Sequence, residues 1–282
     1  AITVNEANFF EGKDADGTII NKVLIKVTKT NDDGTVVVTE YLPAGAKVSQ
    51  SSSITETIIW NKSGDVYTST IVFEDSADYV FSVEYTDYSG NSSNIESSDK
   101  AAATKKYTSK VITIDKISPV IDVVYNNNNA LNENNYKANR TATITVTEHN
   151  FDARKVITEI TANNIFGETV AVEDYAAYLQ NSVNWTYYTA NGSKTTANAD
   201  NVHRQIAQIT YSTDAVYTFD ISSIDLADNA SADFVKQKFV VDHAAAQNVT
   251  ITYSKSVLDK VIETLTFGFY KAEVVVTVSA TD

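Results

Sequence analysis

Two short acid–amide segments carry the densest potential chemistry in this chain: Asp87-Tyr88-Ser89-Gly90-Asn91 and Asp225-Leu226-Ala227-Asp228-Asn229. Each follows a β-rich run, and each is followed in turn by an aspartate at a segment junction, Asp115 or Asp242. Asp and Asn at this spacing have two uses. Their side chains bond nearby backbone amides and tolerate turn conformations. They also supply hard oxygen ligands, which makes Asp87, Asn91 and Asp115, and likewise Asp225, Asp228, Asn229 and Asp242, weak candidates for calcium. No contiguous EF-hand loop is present, so any such site would be assembled from separate loops. The expectation is turn shaping, with no bound metal and no cofactor.

Other reactive groups are sparse. Glu6 and Glu148 share the parity of Ile2/Val4 and Ile144/Val146, so both point inward from a strand end. An intramolecular Lys–Asn isopeptide bond would need such an acid; a plain strand-end carboxylate is the simpler account. The three histidines, His149, His203 and His243, have no local nucleophile or orienting acid around them. There is no Gly-rich phosphate loop, no His-Glu-x-x-His and no nucleophile elbow. A non-catalytic chain is expected.

Aromatic residues are the remaining candidates, with 16 Tyr, 11 Phe and 2 Trp. Trp60 and Trp185 are equivalent within a repeat, which suits a core role. The cluster Trp185-Thr186-Tyr187-Tyr188 precedes a long polar stretch, Ala190 to Asn201, rich in Asn, Ser and Thr. Alternation puts Trp185 and Tyr187 on one face and Tyr188 on the other. Exposed Tyr beside Asn, Ser and Gly suits recognition of proteins and sugars. Trp185, Tyr187, Tyr188 and Asn191, with Tyr175 and Tyr178, therefore form the expected binding surface.

The elements that must position these groups repeat themselves. Tyr79, Phe81, Asp87, Asn91 and Ser93 recur as Tyr217, Phe219, Asp225, Asn229 and Ser231 at a constant offset of 138. Ile2 to Phe9 matches Ile144 to Phe151, Ile112 to Asp115 matches Phe239 to Asp242, and Ile121 to Tyr125 matches Val249 to Tyr253. Identities at a fixed long period mean a tandem array. The order of landmarks predicts a module at 1–117 lacking its first strand, a complete module at 118–245, and the start of a third at 246–282. An unfinished module exposes apolar faces, so 249–282 is expected to pack either on the preceding module or on a neighbouring chain, the second giving head-to-tail self-association.

Alternating runs such as Thr141–Thr147 and Tyr217–Ile221, separated by Asn31-Asp32-Asp33-Gly34 and Lys62-Ser63-Gly64-Asp65, predict short antiparallel strands. Val66–Phe73 is a further expected strand. Helical spacing marks 256–264, and a second short helix is expected at 174–179. The class is all-β, as tandem antiparallel sandwiches. With 282 residues and 43% hydrophobic content, each module has enough apolar material for a core. The absence of Cys excludes disulfides and thiolate metal sites. A net charge of −14 disfavours nucleic acid and anionic lipid.

The Thr-Asp-x-x-Gly-Asn-x-Ser turn at Thr86–Ser93, its variant at Ile224–Ser231, and the junction Ile114-Asp115-Lys116-Ile117-Ser118-Pro119-Val120-Ile121 carry a family likeness. Together they resemble the bacterial immunoglobulin-like repeats of large Gram-positive surface proteins of gut Firmicutes. The resemblance implies an extracellular, cell-surface segment, attached through regions outside this chain and without membrane insertion. It implies binding of a host protein, with immunoglobulin, bound in superantigen fashion, as one case. A structural stalk and a carbohydrate-binding accessory module of a secreted glycosidase are the alternatives. The second junction departs from the pattern, with His243-Ala244-Ala245-Ala246 in place of Lys116-Ile117-Ser118-Pro119.

Overall fold

The computed structural model describes residues 1–7, 9, 15–16, 18, 22–47, 52–87, 89–98, 102–131, 133–253 and 275–281. Antiparallel pairing dominates them. The first half holds β1 (Ile2–Asn5), β2 (Lys22–Thr30), β3 (Val36–Leu42), β4 (Ser53–Thr57), β5 (Asn61–Ser63), β6 (Val66–Ser69), β7 (Ala77–Thr86), β8 (Lys106–Thr108) and β9 (Ile112–Ile114). These form two sheets, β1-β6-β5 and β4-β3-β2-β7-β8, with β9 on the other end of β7. Val23, Ile25, Val83 and Tyr85 of the larger sheet pack with Ile2 and Val4 of the smaller one. Thr70 to Phe73, expected to continue a strand, leaves the ladder after Ser69.

The second half is more completely enclosed. Its strands are β10 (Val120–Tyr125), β11 (Asn135–Tyr136), β12 (Arg140–Thr147), β13 (Val156–Asn163), β14 (Thr186–Tyr188), β15 (Lys194–Thr195), β16 (Arg204–Tyr211), β17 (Ala215–Ser223) and β18 (Gln237–Val241). One sheet runs β10-β12-β16-β14-β15 and the other β11-β18-β17-β13. Ala142, Ile144 and Val146 of the first face Tyr217, Phe219 and Ile221 of the second across one core, a sandwich-like arrangement. Strict period-2 patterning explains it, because the threonines between these residues are turned to the other side. Arg140 enters this core from the end of β12. Its guanidinium lies 3.7 Å from the Tyr125 ring centroid and 4.2 Å from that of Tyr136, and its Nε donates to Asn127 O. Ring faces and carbonyls stabilise the buried cation there.

Several pairings recur in the two halves, although the first adds β3, β4 and β8 to the sheet that holds β7. Ile2 opposes Ser69 and Val4 opposes Tyr67, as Ile144 opposes Ala207 and Val146 opposes Gln205. Tyr79 pairs with Ile112 as Tyr217 pairs with Phe239. Phe9 meets Trp60 edge to face at 5.2 Å, and Phe151 meets Trp185 in the same way at 4.9 Å.

The acid–amide turns repeat too. Asn91 donates its N–H to Asp87 Oδ1 and its amide to Oδ2; Asn229 does the same to Asp225. The fourth residue of each turn is left-handed, Gly90 at φ 84° and Asp228 at φ 66°. Glycine carries no Cβ penalty in that region, and Asp tolerates it better than most residues. Gly90→Ala is expected to destabilise the first unit by about 1 kcal/mol through this strain alone, because no atom stands within 4 Å of the added methyl position. Urea unfolding of the variant checks it.

After Val241 come β19 (Gln247–Tyr253) and β20 (Val276–Thr281), an antiparallel pair. Ile251 opposes Val278 as Val123 opposes Ile144 in the preceding unit. Ile144 is fully buried whereas Val278 is 62% exposed, so this hairpin has no second sheet over it among the described residues. The expected helix at 256–264 lies outside those residues. The one at 174–179 is present as α1 (Tyr175–Leu179), capped by Asp174, whose side chain accepts from Ala177 N.

Candidate functional site

The expected aromatic surface is largely core. Trp185 is 4% exposed and its indole N–H donates to Leu179 O at 2.7 Å. Tyr187 and Tyr175 are also buried, with their hydroxyls donating to Ser182 O and Thr210 O. The face shared by Trp185 and Tyr187 is the inward one, so these three side chains are not open to a partner. Tyr188 points the other way and is half-buried under the Arg204 guanidinium. Asn191 and Tyr178 stay exposed. Asn191 accepts the Ser193 N–H and so shapes the hairpin turn between β14 and β15.

The acidic candidates divide differently from their sequence grouping. Asp115 follows β9 at the start of the junction, and Asp225 opens the turn after β17, on the next unit. The chain crosses from one unit to the other at Asp115, so that residue meets Asp225 and not Asp87. Glu148, one residue beyond β12, completes the group. Asp115, Glu148 and Asp225 each offer a carboxylate oxygen within 4.8 Å of the others. Asp87 and Asn91 only close their own turn, and Asp242 caps its own junction by accepting from Ala244 N. Among the described residues this is the only such cluster of His, Cys, Asp or Glu.

Hydrogen bonds fix two of the three acids. Asp225 Oδ1 accepts from the amides of Ala227 and Asn229, and Oδ2 from the Asn229 side chain. Asp115 Oδ1 accepts from Ile117 N and Oδ2 from Asn150 Nδ2 at 2.8 Å. Glu148 Oε1 accepts from Asn150 N, but its Oε2 is buried with no hydrogen-bond partner. Burial, then the neighbouring carboxylates of Asp115, Asp225 and Asp32, push the Glu148 carboxyl up to about 7, against the Asn150 N–H. Among the described residues no lysine amine bonds it. Lys155 donates instead to Asp225 O and Asp228 Oδ1.

Around the cluster the two units are tied together. Asn229 Nδ2 also reaches Asp115 O at 3.2 Å. His149 bonds Val202 O through Nδ1 and Asp78 Oδ2, on the first unit, through Nε2. Burial alone would lower the imidazole; the Val202 carbonyl and the Asp78 carboxylate outweigh it and hold His149 above its ordinary value. The turn Asn31–Gly34 reaches the same seam, where an added Cβ at Gly34 would stand 3.6 Å from that of Asn201. Burial, the leading cause, raises the Asp32 carboxyl there, with His149 opposing.

Sequence spacing did not gather this set. Glu148 was visible as an inward strand-end acid and Asp115 as a junction acid, yet their meeting depends on how the units stack. Neither His149 nor Asn150 carried a sequence signal of a seam. No family model and no curated protein matches the chain. Among the described residues no helix is long and apolar enough to cross a membrane.

Proposed function

We propose that this chain is a spacer segment of a bacterial cell-surface protein, built of tandem immunoglobulin-like modules without catalytic activity. Its task is to hold other parts of that protein at a set distance and angle. The observation that carries this reading is the seam. Asp115, Asn150 and Asn229 lock the junction, and the Asp78–His149 pair adds a second tie. A freely hinged linker would have no reason for half-buried polar pairs between units, since each ordered side chain costs conformational entropy. The repeat of strand registers and turns supports the same reading, because arrays of one unit give length in fixed steps.

Capture of a host protein is the second reading. It is favoured by an open cleft of about 710 Å³ lined by Phe151, Arg154, Gln180, Asn198 and Leu226. Leu226 and Val183 nearby are 59% and 79% exposed. A sugar platform has less support, since the aromatics it would use are buried.

The spacer reading is tested by interspin distances in solution. The chain has no cysteine, so spin labels at Glu56→Cys and Lys238→Cys, both exposed positions, report one pair. A single narrow distribution is expected, broadened by Asn150→Ala. A broad distribution in the otherwise unchanged chain overturns the spacer reading, and a complex with a serum or mucus protein at the cleft would promote the second.

A further inference from the structure

We infer that the seam between the two units is a divalent-cation site, with Asp115, Glu148 and Asp225 as carboxylate ligands and calcium as the ion it fits. This goes beyond the spacer reading and does not need it: it assigns a ligand to the junction.

Three observations meet here. The first is distance. Calcium takes oxygen at roughly 2.3–2.6 Å, so two oxygens on one ion stand at most about 5 Å apart. The three carboxylates each present an oxygen inside a 4.8 Å span. Magnesium, at about 2.0–2.1 Å and with a strict octahedron, fits that span less well. The second is an orphan. Glu148 is 4% exposed and its Oε2 is buried without a partner. Buried polar atoms are nearly always satisfied, so an unpartnered carboxylate oxygen on a member of this cluster points to a ligand. Gln205, fully buried, donates its Nε2 to Glu148 O and leaves its own Oε1 unpartnered in the same neighbourhood.

The third is recurrence along the chain. Glu6 and Glu148 each stand one residue beyond equivalent strands, β1 and β12. Asp87 and Asp225 recur in the turns, and Asp115 and Asp242 at the junctions. Turn chemistry explains Asp87 and Asp225; the acid after the strand uses only one carboxylate oxygen locally, Glu148 Oε1 for Asn150 N, and leaves the other over. One acid from the unit before and two from the unit after assemble a ligand set only at a seam. The preference for an acid at that third position then follows from repetition of the seam. Three carboxylates in near contact also repel, which a 2+ ion offsets directly.

A bound ion would couple seam and fold, because a ligand held only by the folded, stacked form stabilises that form. The chain as it stands, stripped with chelator, is titrated with CaCl2 by calorimetry, and its thermal unfolding is recorded with and without the ion. Saturable binding with Kd between about 10⁻⁶ and 10⁻³ M is expected, with a melting shift of several degrees. Glu148→Gln keeps the shape and an acceptor for Asn150 N, so it folds. It should lose the calcium-dependent shift and weaken binding at least tenfold. Asp87→Asn, at the equivalent turn away from the seam, should keep both. Absence of a calorimetric signal and of any melting shift up to 10-fold above the upper Kd limit overturns the site. So does a shift that survives in Glu148→Gln. A site that binds calcium without narrowing the interspin distribution would keep this inference and weaken only the spacer reading.

Discussion

Trp185→Ala is expected to lower the unfolding free energy of the second unit by about 3–5 kcal/mol, the usual cost of emptying a large aromatic site in a packed interior. The side chain is 4% exposed, meets Phe151 edge to face at 4.9 Å and donates its N–H to Leu179 O. Truncation removes apolar burial and leaves that carbonyl without its donor. The chain has only two tryptophans, so in the variant Trp60 fluorescence reports the first unit alone. Far-ultraviolet circular dichroism follows both units. In urea, the dichroism should show a new early transition while the Trp60 curve stays where it was. A variant that unfolds like the parent would mean that Trp185 is a surface residue, as a binding role would require. Tyr188→Ala, on the outward face, serves as the contrast and should move the transition little.

Asp225→Ala is expected to cost the same unit about 2–3 kcal/mol. Asp225 is fully buried and accepts from Ala227 N, Asn229 N and Asn229 Nδ2. Its loss leaves three donors unpaired, and an unmade hydrogen bond in a buried place costs more than a made one contributes. Relief of repulsion against Glu148 offsets part of this. Asp87→Ala removes the matching bonds from Asn91, but its turn lies in water, which replaces them, so a smaller effect is expected. Equal losses from the two substitutions, measured by urea unfolding of the full chain, would show that the seam adds nothing to the turn. In the Asp225 variant Asn229 also loses the partner that orients it toward Asp115 O, so the interspin distribution should widen along with the loss of stability.

The all-β class and the recurrence of the acid–amide turn were legible from residues alone. Period-2 alternation at Thr141–Thr147 and Tyr217–Ile221 fixes which side chains go inward, whatever the rest of the chain does. The turns were equally legible, because Asp-x-x-Gly-Asn satisfies its own backbone within five residues. The run Val66–Phe73 misled: its composition is strand-like, yet the ladder ends at Ser69, since composition does not supply a pairing partner. Parity correctly placed Trp185 and Tyr187 on one face and Tyr188 on the other. It could not say which face was the interior.

Local pattern by itself thus determined most of the strands, the turns and which residues of a strand share a face. All of these depend on interactions between residues close in sequence or on a fixed period. Only the tertiary structure decided what meets at the seam. Asp115, Glu148 and Asp225 are separated by 33 and 77 residues along the chain, and no periodicity links them. Their meeting depends on the angle at which one sandwich-like unit sits on the next. That angle is held by long-range contacts, Asn229 to Asp115 and His149 to Asp78, whose energy exists only once both units have folded.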